Sequence, residues 1–496
     1  MYGELTRIFT GESTIEPDAR DKRFDDPVWQ SNPLYRTMLQ SYLLWQRSLT
    51  TAVDAANLPK PEADRARFAV SLVTDAAAPT NGLLGNPAAL RRVFETGGGS
   101  VVDGARHMLE DLAARGGMPA QVDTRAFEVG KNLATSPGAV VFRNDVLELI
   151  QYAPRAETVF SRPVLFIPPQ INKFYILDLA PGRSLVEYLT ESGFSVFMIS
   201  WRNPSPKHRK WNFATYATAI LEATDVVREI TAEPRLNVAA VCAGGMTLAP
   251  LLAQLAERRD RRIQSATFMV TVLRALKDSQ MGMLMTPEAV ATARTASRTR
   301  GVLEGQEMAR LFAWLRPNDL VWNYWANNYL MGKEPPAFDV LYWNNDTTRL
   351  PAGFHAELLD MAVDDALPGR PDLSRVKLDT FVTAGVNDHI TPWQSCYATT
   401  QMVGGRSTFV LSNAGHIQSM VNPPGNPKAS YFTNSKHPAD AEEWRSHARK
   451  HSGSWWENWR DWLAKRSGER VAAPSSLGSD RYPAAEPAPG RYVLES

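Results

Sequence analysis

Residues Asn237 to Met246 read NVAAVCAGGM, and the fold can be worked out from how this stretch must sit. A run of small and β-branched residues, Val238 to Val241, ends at Cys242. Gly244 and Gly245 follow at once, and TLAPLLAQLAERR then carries a helical apolar pattern. The periodicity predicts a strand, a sharp turn and a helix, with the thiol at the turn. A side chain presented at such a turn has strained backbone angles, so its neighbours must be small. The backbone N–H of Ala243, at the helix start, would then point where an oxyanion forms. The competing reading is a buried structural cysteine, since a free Cys packs like a small hydrophobe.

Outward from this stretch, short apolar runs alternate with helical patterns. LELIQYAP, PVLFIPPQ, FSVFMISW and IQSATFMVTVL read as strands; RSLVEYLTESG and NFATYATAILEATDVVREI read as helices. Such alternation predicts a mostly parallel sheet with helices on both faces. The pattern stops at Arg274. Met- and Trp-rich segments such as MGMLM and LVWNYWANNYL come next, broken by prolines, and residues 274–375 are expected to form a cap inserted over the sheet's carboxyl edge. VKLDTFVTAG and STFVLSNAG resume the strands.

The remaining boundaries come from composition. Residues 1–25 are polar and read as a poorly ordered tail. Residues 26–135 read as a helical N-terminal domain, with Leu34, Met38, Tyr42 and Trp45 at helical spacing and Asn32–Pro33 and Asn86–Pro87 as helix starts. The α/β core is expected over 136–273 and 376–470. A helix from Ala439 to Lys465 places Trp455, Trp459 and Trp462 on one face, expected to pack on the body. Residues 471–496 form a Pro- and Ala-rich extended tail.

Composition narrows the function. A net charge of +1 over 496 residues gives no reason to expect a nucleic-acid partner. The two cysteines, Cys242 and Cys396, have no metal-ligand spacing, and no metal or cofactor is expected. No apolar run approaches a membrane span and no secretory signal is visible, so a cytoplasmic location is expected. GGGS at Gly97 to Ser100 lacks the following Lys of a phosphate loop.

Two further residues join Cys242. Asp388 lies just past the strand DTFVTAG, and His416 lies in the loop after the strand STFVLS. The order Cys242, Asp388, His416 is the nucleophile, acid and base order of α/β-hydrolases, whose G-x-S-x-G elbow the central stretch resembles with Cys for Ser and Ala240 for the first Gly. Each residue comes just after a strand end, where parallel α/β sheets hold their sites. His416 can take the thiol proton while Asp388 orients its ring. His389 is expected to support the site from behind, and Cys396 to be structural. The second oxyanion donor is expected after PVLFIPP, at the N–H of Ile171, with Gln170 and Asn172 as alternatives.

On DPVWQSNPLYR, NGLLGNPAALRRVFETGG, PPQINKFYILDL, SWRNPS, the CAGG elbow, GVNDHITPW and GHIQSMVNPPGNPK, the chain resembles the polyhydroxyalkanoate synthases over most of its length. PPQINKFY and GHIQSMVNPPGNPK look most like the single-subunit synthases acting on medium-chain substrates. The resemblance implies an α/β-hydrolase fold. It implies an acyltransferase that polymerises (R)-3-hydroxyacyl-CoA through an acyl-Cys242 intermediate, with Asp388 and His416 completing the triad. It also implies association with the growing polyester and its granule. A homodimer through the apolar cap is expected. The competing enzyme class is a cysteine-dependent thioesterase or ester hydrolase of the same fold, separated by whether water is kept from the acyl-enzyme. A polymer-coating protein with a relic triad is the non-enzymatic alternative.

Overall fold

The computed structural model describes residues 2–274 and 280–496. The chain divides into two compact units: residues 1–124 with 310–338, and residues 125–309 with 339–496.

The second unit is built on strands β1 (Gly138–Arg143), β2 (Leu147–Tyr152), β3 (Thr158–Phe160), β4 (Val164–Ile167), β5 (Val196–Trp201), β6 (Leu236–Val241) and β7 (Ile263–Met269). After these come β8 (Val302–Leu303), β9 (Leu350–Pro351), β10 (Asp379–Gly385), β11 (Ser407–Ser412), β12 (Ser430–Thr433), β13 (Arg449–Ser452) and β14 (Arg470–Ala472). Ten of them form one sheet in the order β1-β2-β5-β4-β6-β7-β10-β11-β12-β13. The six central strands, β5 to β11 in that order, are parallel, and an antiparallel pair flanks them on each side.

Sequence chemistry explains this centre. β6 is buried along its whole length. Leu236, Val238 and Ala240 enter one core and Ala239 and Val241 the other, as the two-residue period of a strand requires. The first core is closed by the helices Phe213–Thr231 and Ala243–Glu257, and the second by Leu185–Glu191 and Trp455–Ala464. A sheet buried on both faces needs near-continuous apolar strands, and these are the runs seen in the sequence.

The Ala439–Lys465 helix is two helices, Ala441–Ser446 and Trp455–Ala464, with β13 between them. β13 pairs with β12, and Gly453 takes a positive φ of 95° where the chain turns back. Trp455, Trp456 and Trp459 are fully buried, so this helix does pack on the body. The C-terminal stretch is docked: residues 485–488 bond alongside β1, through Val140 N–H to Glu486 O at 2.8 Å and Ala488 N–H to Gly138 O at 2.9 Å, and Tyr492–Leu494 closes it in a single 3-10 turn.

The first unit is helical: Pro33–Ala55, Lys60–Ala76, Pro87–Glu95 and Gly99–Arg115. Asn32 caps the first, accepting from the N–H groups of Leu34 and Tyr35, and Asn86 caps the third through Ala89 N–H. The buried face of the first helix carries Tyr35, Leu39, Tyr42 and Leu43, while Leu34 and Trp45 are exposed. The expected stripe is therefore displaced by about one residue, because the helix packs on Phe24 and Trp29 rather than on a partner that sequence could name. Residues 2–10 of the expected tail are helical, and Ile8, Ile15 and Phe24 anchor that segment in the same cluster. Three isolated apolar residues in a polar stretch carry no periodic signal, yet each is buried. Within the stretch read as a cap, residues 310–338 fold with this helical unit, residues 280–309 and 339–375 belong to the second unit, and 275–279 lie outside the described residues.

Candidate active site

Cys242 joins β6 to the helix Ala243–Glu257 with φ 49° and ψ −120°, a backbone conformation that side chains rarely take. The surroundings enforce it. The Cys242 N–H donates to Met269 O at 2.9 Å, and its carbonyl accepts from Gly245 N–H at 3.0 Å and from the Thr271 hydroxyl at 3.2 Å. A Cβ on Gly244 would lie 2.3 Å from Ile167 O and 2.6 Å from Pro168 O; one on Gly245 would meet Thr271 Oγ1 at 2.4 Å. The pair of glycines thus lets the elbow press against the end of β4 and the segment after β7. Ala240, in place of the usual elbow glycine, sits in β6 opposite Ile167 and is fully buried.

Asp388 comes just after β10, and His416 opens the short helix His416–Met420 after β11. The Asp388 side chain is wholly buried and accepts four hydrogen bonds: from the N–H groups of Ile390 and Thr391 at 2.9 Å each, from the Thr391 hydroxyl at 2.6 Å, and from His416 Nδ1 at 2.7 Å. Burial alone would raise its pKa, but the His416 ring and these donors outweigh burial and hold it below the usual carboxylate range. Burial likewise opposes a charge on His416. The Asp388 carboxylate first, and then the influence of Cys242, overcome this and raise its pKa to about 10. With Nδ1 engaged by Asp388, Nε2 is the nitrogen left for the thiol. The Asp388–His416 pair beside Cys242 is therefore able to accept a proton from sulfur and hold it.

Thr391 escaped the sequence reading. Its hydroxyl touches both Asp388 Oδ2 and, at 3.1 Å, His416 Nδ1. The signal was present: an Asp whose side chain accepts N–H groups two and three residues on is an Asx turn, and D-H-I-T has that spacing. Two tryptophans were also missed as supports. Trp455 Nε1 donates to Ser419 O at 2.7 Å and Trp456 Nε1 to Met420 O at 3.0 Å, which fixes the last turn of the His416 helix. His389 is half-buried in the loop beside Asp388. Cys396 is fully buried, bonds to Thr391 O, and is held well above the usual thiol range by burial. It therefore stays a neutral packing residue.

Ala243 is the first residue of the elbow helix, whose leading N–H groups have no intrahelical partner. Opposite it runs the loop after β4. Pro168 and Pro169 offer no N–H, so the first donors are those of Gln170 and Ile171. Gln170 Nε2 bonds Thr247 Oγ1 of the elbow helix at 3.2 Å, which ties this loop to the nucleophile turn.

Fold and site together define an enzyme of the α/β-hydrolase class with cysteine at the elbow, and residues 163–423 match the alpha/beta hydrolase fold family. Residues 20–189 match the family described as Poly-beta-hydroxybutyrate polymerase (PhaC) N-terminus. The chain is 49% identical to Poly(3-hydroxyalkanoate) polymerase 1 of Ectopseudomonas oleovorans, over 99% of this chain and 89% of that protein. It is 48% identical to polymerase 2 of the same organism, over 100% and 90%. It is 39% identical to the Poly(3-hydroxyalkanoate) polymerase subunit PhaC of Cupriavidus necator, over 97% and 84%. The chain belongs to the poly(3-hydroxyalkanoate) polymerase family and is an acyltransferase.

Proposed function

We propose that the chain polymerises (R)-3-hydroxyacyl groups from their CoA thioesters through an acyl-Cys242 intermediate, with medium-chain substrates preferred. The strained Cys242 at the elbow, together with His416 hydrogen-bonded to the buried Asp388, carries this reading. The Cys242 thiol gives its proton to His416 Nε2 and its sulfur attacks the thioester carbonyl. The oxyanion so formed is met by the N–H groups of Ala243 and Ile171. The carbon–sulfur bond to CoA breaks, and the leaving thiolate takes the proton from His416. The 3-hydroxyl of another unit then loses its proton to His416 and attacks the acyl-Cys242 carbonyl. An ester forms, the bond to Sγ breaks, and the cysteine recovers its proton. Exchange between thioesters is nearly isoenergetic, so the acyl group stays activated for the alcohol.

The polyester granule is the other partner in this reading. Among the described residues no helix is long and apolar enough to cross a membrane. The helix Gly99–Arg115 instead turns Gly104, His107 and Asp111 inward and exposes Val102, Leu109 and Leu112. An apolar face turned outward supports attachment to a hydrophobic polymer surface. A homodimer belongs to the same reading, with Trp314 and Phe338, exposed on the part of that stretch that folds with the helical unit, as candidate contacts.

Purified protein given (R)-3-hydroxyacyl-CoAs of several chain lengths should release CoA and accumulate insoluble polyester. CoA appears with a thioesterase too, so the acyl product must be extracted and sized. Recovery chiefly as monomeric 3-hydroxy acid would overturn the polymerase reading and favour hydrolysis.

A further inference from the structure

The second oxyanion donor rests on a peptide whose orientation is set from outside the sheet. Gln170 O accepts a hydrogen bond from the hydroxyl of Thr348, a buried residue just before β9, at 3.0 Å. A trans peptide points its C=O and N–H in opposite directions, so a fixed Gln170 carbonyl fixes the Ile171 N–H on the other side. Among the described residues that N–H has no hydrogen-bond partner. The same contact continues into the elbow. Gln170 Nε2 bonds Thr247 Oγ1 at 3.2 Å, and Thr247 Oγ1 donates to Ala243 O at 3.1 Å. One line of hydrogen bonds thus runs from Thr348 through Gln170 and Thr247 to Ala243, the residue bearing the other donor.

The segment carrying Thr348 is laced to the same loop at further points. Trp343 Nε1 donates to Lys173 O at 2.7 Å. The nearly buried Lys173 ammonium pairs with Asp346 at 2.6 Å, and the Tyr175 hydroxyl donates to the other Asp346 oxygen at 2.8 Å. These contacts hold the segment in place, but only Thr348 reaches the peptide that bears the Ile171 N–H.

We propose that Thr348 is a positioning residue for the oxyanion peptide, so that seating of residues 339–351 on the loop after β4 makes the site competent. This rests on the cysteine mechanism proposed for the site. Without the hydroxyl, Gln170 O is a buried acceptor with no partner, and the peptide gains by rotating toward another donor. Rotation carries the Ile171 N–H away from the reacting carbonyl.

The test uses the full chain with Thr348→Val, which keeps the shape but not the donor, Thr348→Ala, and Thr348→Ser, which keeps the hydroxyl. Single-turnover formation of acyl-Cys242 from a 3-hydroxyacyl-CoA should slow on the order of 10- to 100-fold in the Val and Ala variants, less than loss of a whole donor. The KM should stay within about twofold and the Ser variant near wild type. Alkylation of Cys242 by iodoacetamide needs the thiol and imidazole but no oxyanion site, so its rate should be unchanged in all three. Wild-type acylation in Thr348→Val, a raised KM with unchanged acylation, or alkylation falling in parallel would each overturn the proposal. If the wild-type enzyme forms no acyl-Cys242, the cysteine mechanism itself fails and this proposal with it; if it does and the Val variant matches it, only the role of Thr348 fails.

Discussion

Replacing Asp388 by Asn removes a charge and changes little in volume, so its effect can be worked from the hydrogen bonds the carboxylate makes. It accepts from two backbone N–H groups, the Thr391 hydroxyl and His416 Nδ1. An amide can satisfy only part of this set, because one of its two positions is a donor. If the NH2 faces His416, it donates to Nδ1 and leaves the ring proton on Nε2, where the thiol proton must go. The electrostatic loss adds to this. Burial lowers the His416 pKa, and this carboxylate is the first of the groups that nevertheless raise it to about 10. Without it, burial acts more strongly against the imidazolium, so the base is weakened. A wrong tautomer combined with a weakened base costs on the order of 10⁴ in rate in other triads, and a loss of about that size is expected here. Rapid quench of acyl-Cys242 formation isolates the first half-reaction, and chain extension of pre-acylated enzyme isolates the second. Extension should suffer at least as much, because an alcohol is a weaker acid than a thiol and needs the base more. An Asp388→Asn enzyme within about tenfold of wild type in both steps would refute the pairing of Asp388 with His416.

The same geometry sets three other outcomes. Cys242→Ala should abolish CoA release with the fold intact, whereas Cys396→Ala, a small change at a buried neutral thiol, should retain near wild-type turnover; the reverse result would reassign the nucleophile. Gly244→Ala places a methyl 2.3 Å from Ile167 O, so the backbone must move; a loss of about 1–3 kcal/mol in denaturant titration is expected, together with most of the activity. Because the folded state raises the His416 pKa, it favours the protonated ring, and that contribution to stability is complete below about 6.5 and vanishes as pH rises through about 10. The difference in melting temperature between wild type and His416→Gln should therefore shrink across that interval, and a constant difference would contradict the assigned environment.

What could be read in the chain by itself was whatever is local or ordered along it. The elbow is local: a buried strand, a strained residue and two glycines must be neighbours in sequence to be neighbours in space, so NVAAVCAGGM discloses it. The placement of Cys242, Asp388 and His416 at strand ends was legible for a related reason. In a parallel sheet every strand ends on the same edge, so residues just past β6, β10 and β11 converge although 146 and 28 positions separate them in turn. The helix caps Asn32 and Asn86 were legible because a cap bonds within its own turn.

The remainder depended on partners that sequence does not name. The buried face of Pro33–Ala55 was chosen by Phe24 and Trp29, and the polar first residues were held by three scattered apolar anchors. Residues 310–338 left the stretch in which they were read and joined the N-terminal helices. The helix Gly99–Arg115 turned His107 and Asp111 inward, where Asp111 meets the Tyr329 hydroxyl at 2.7 Å, more than two hundred positions away. Trp456 reaches Met420 O and Thr348 reaches Gln170 O from positions likewise remote along the chain. Periodicity reports the environment averaged over a turn or a strand. A single hydrogen bond between remote residues leaves no period, so only the folded chain decides it.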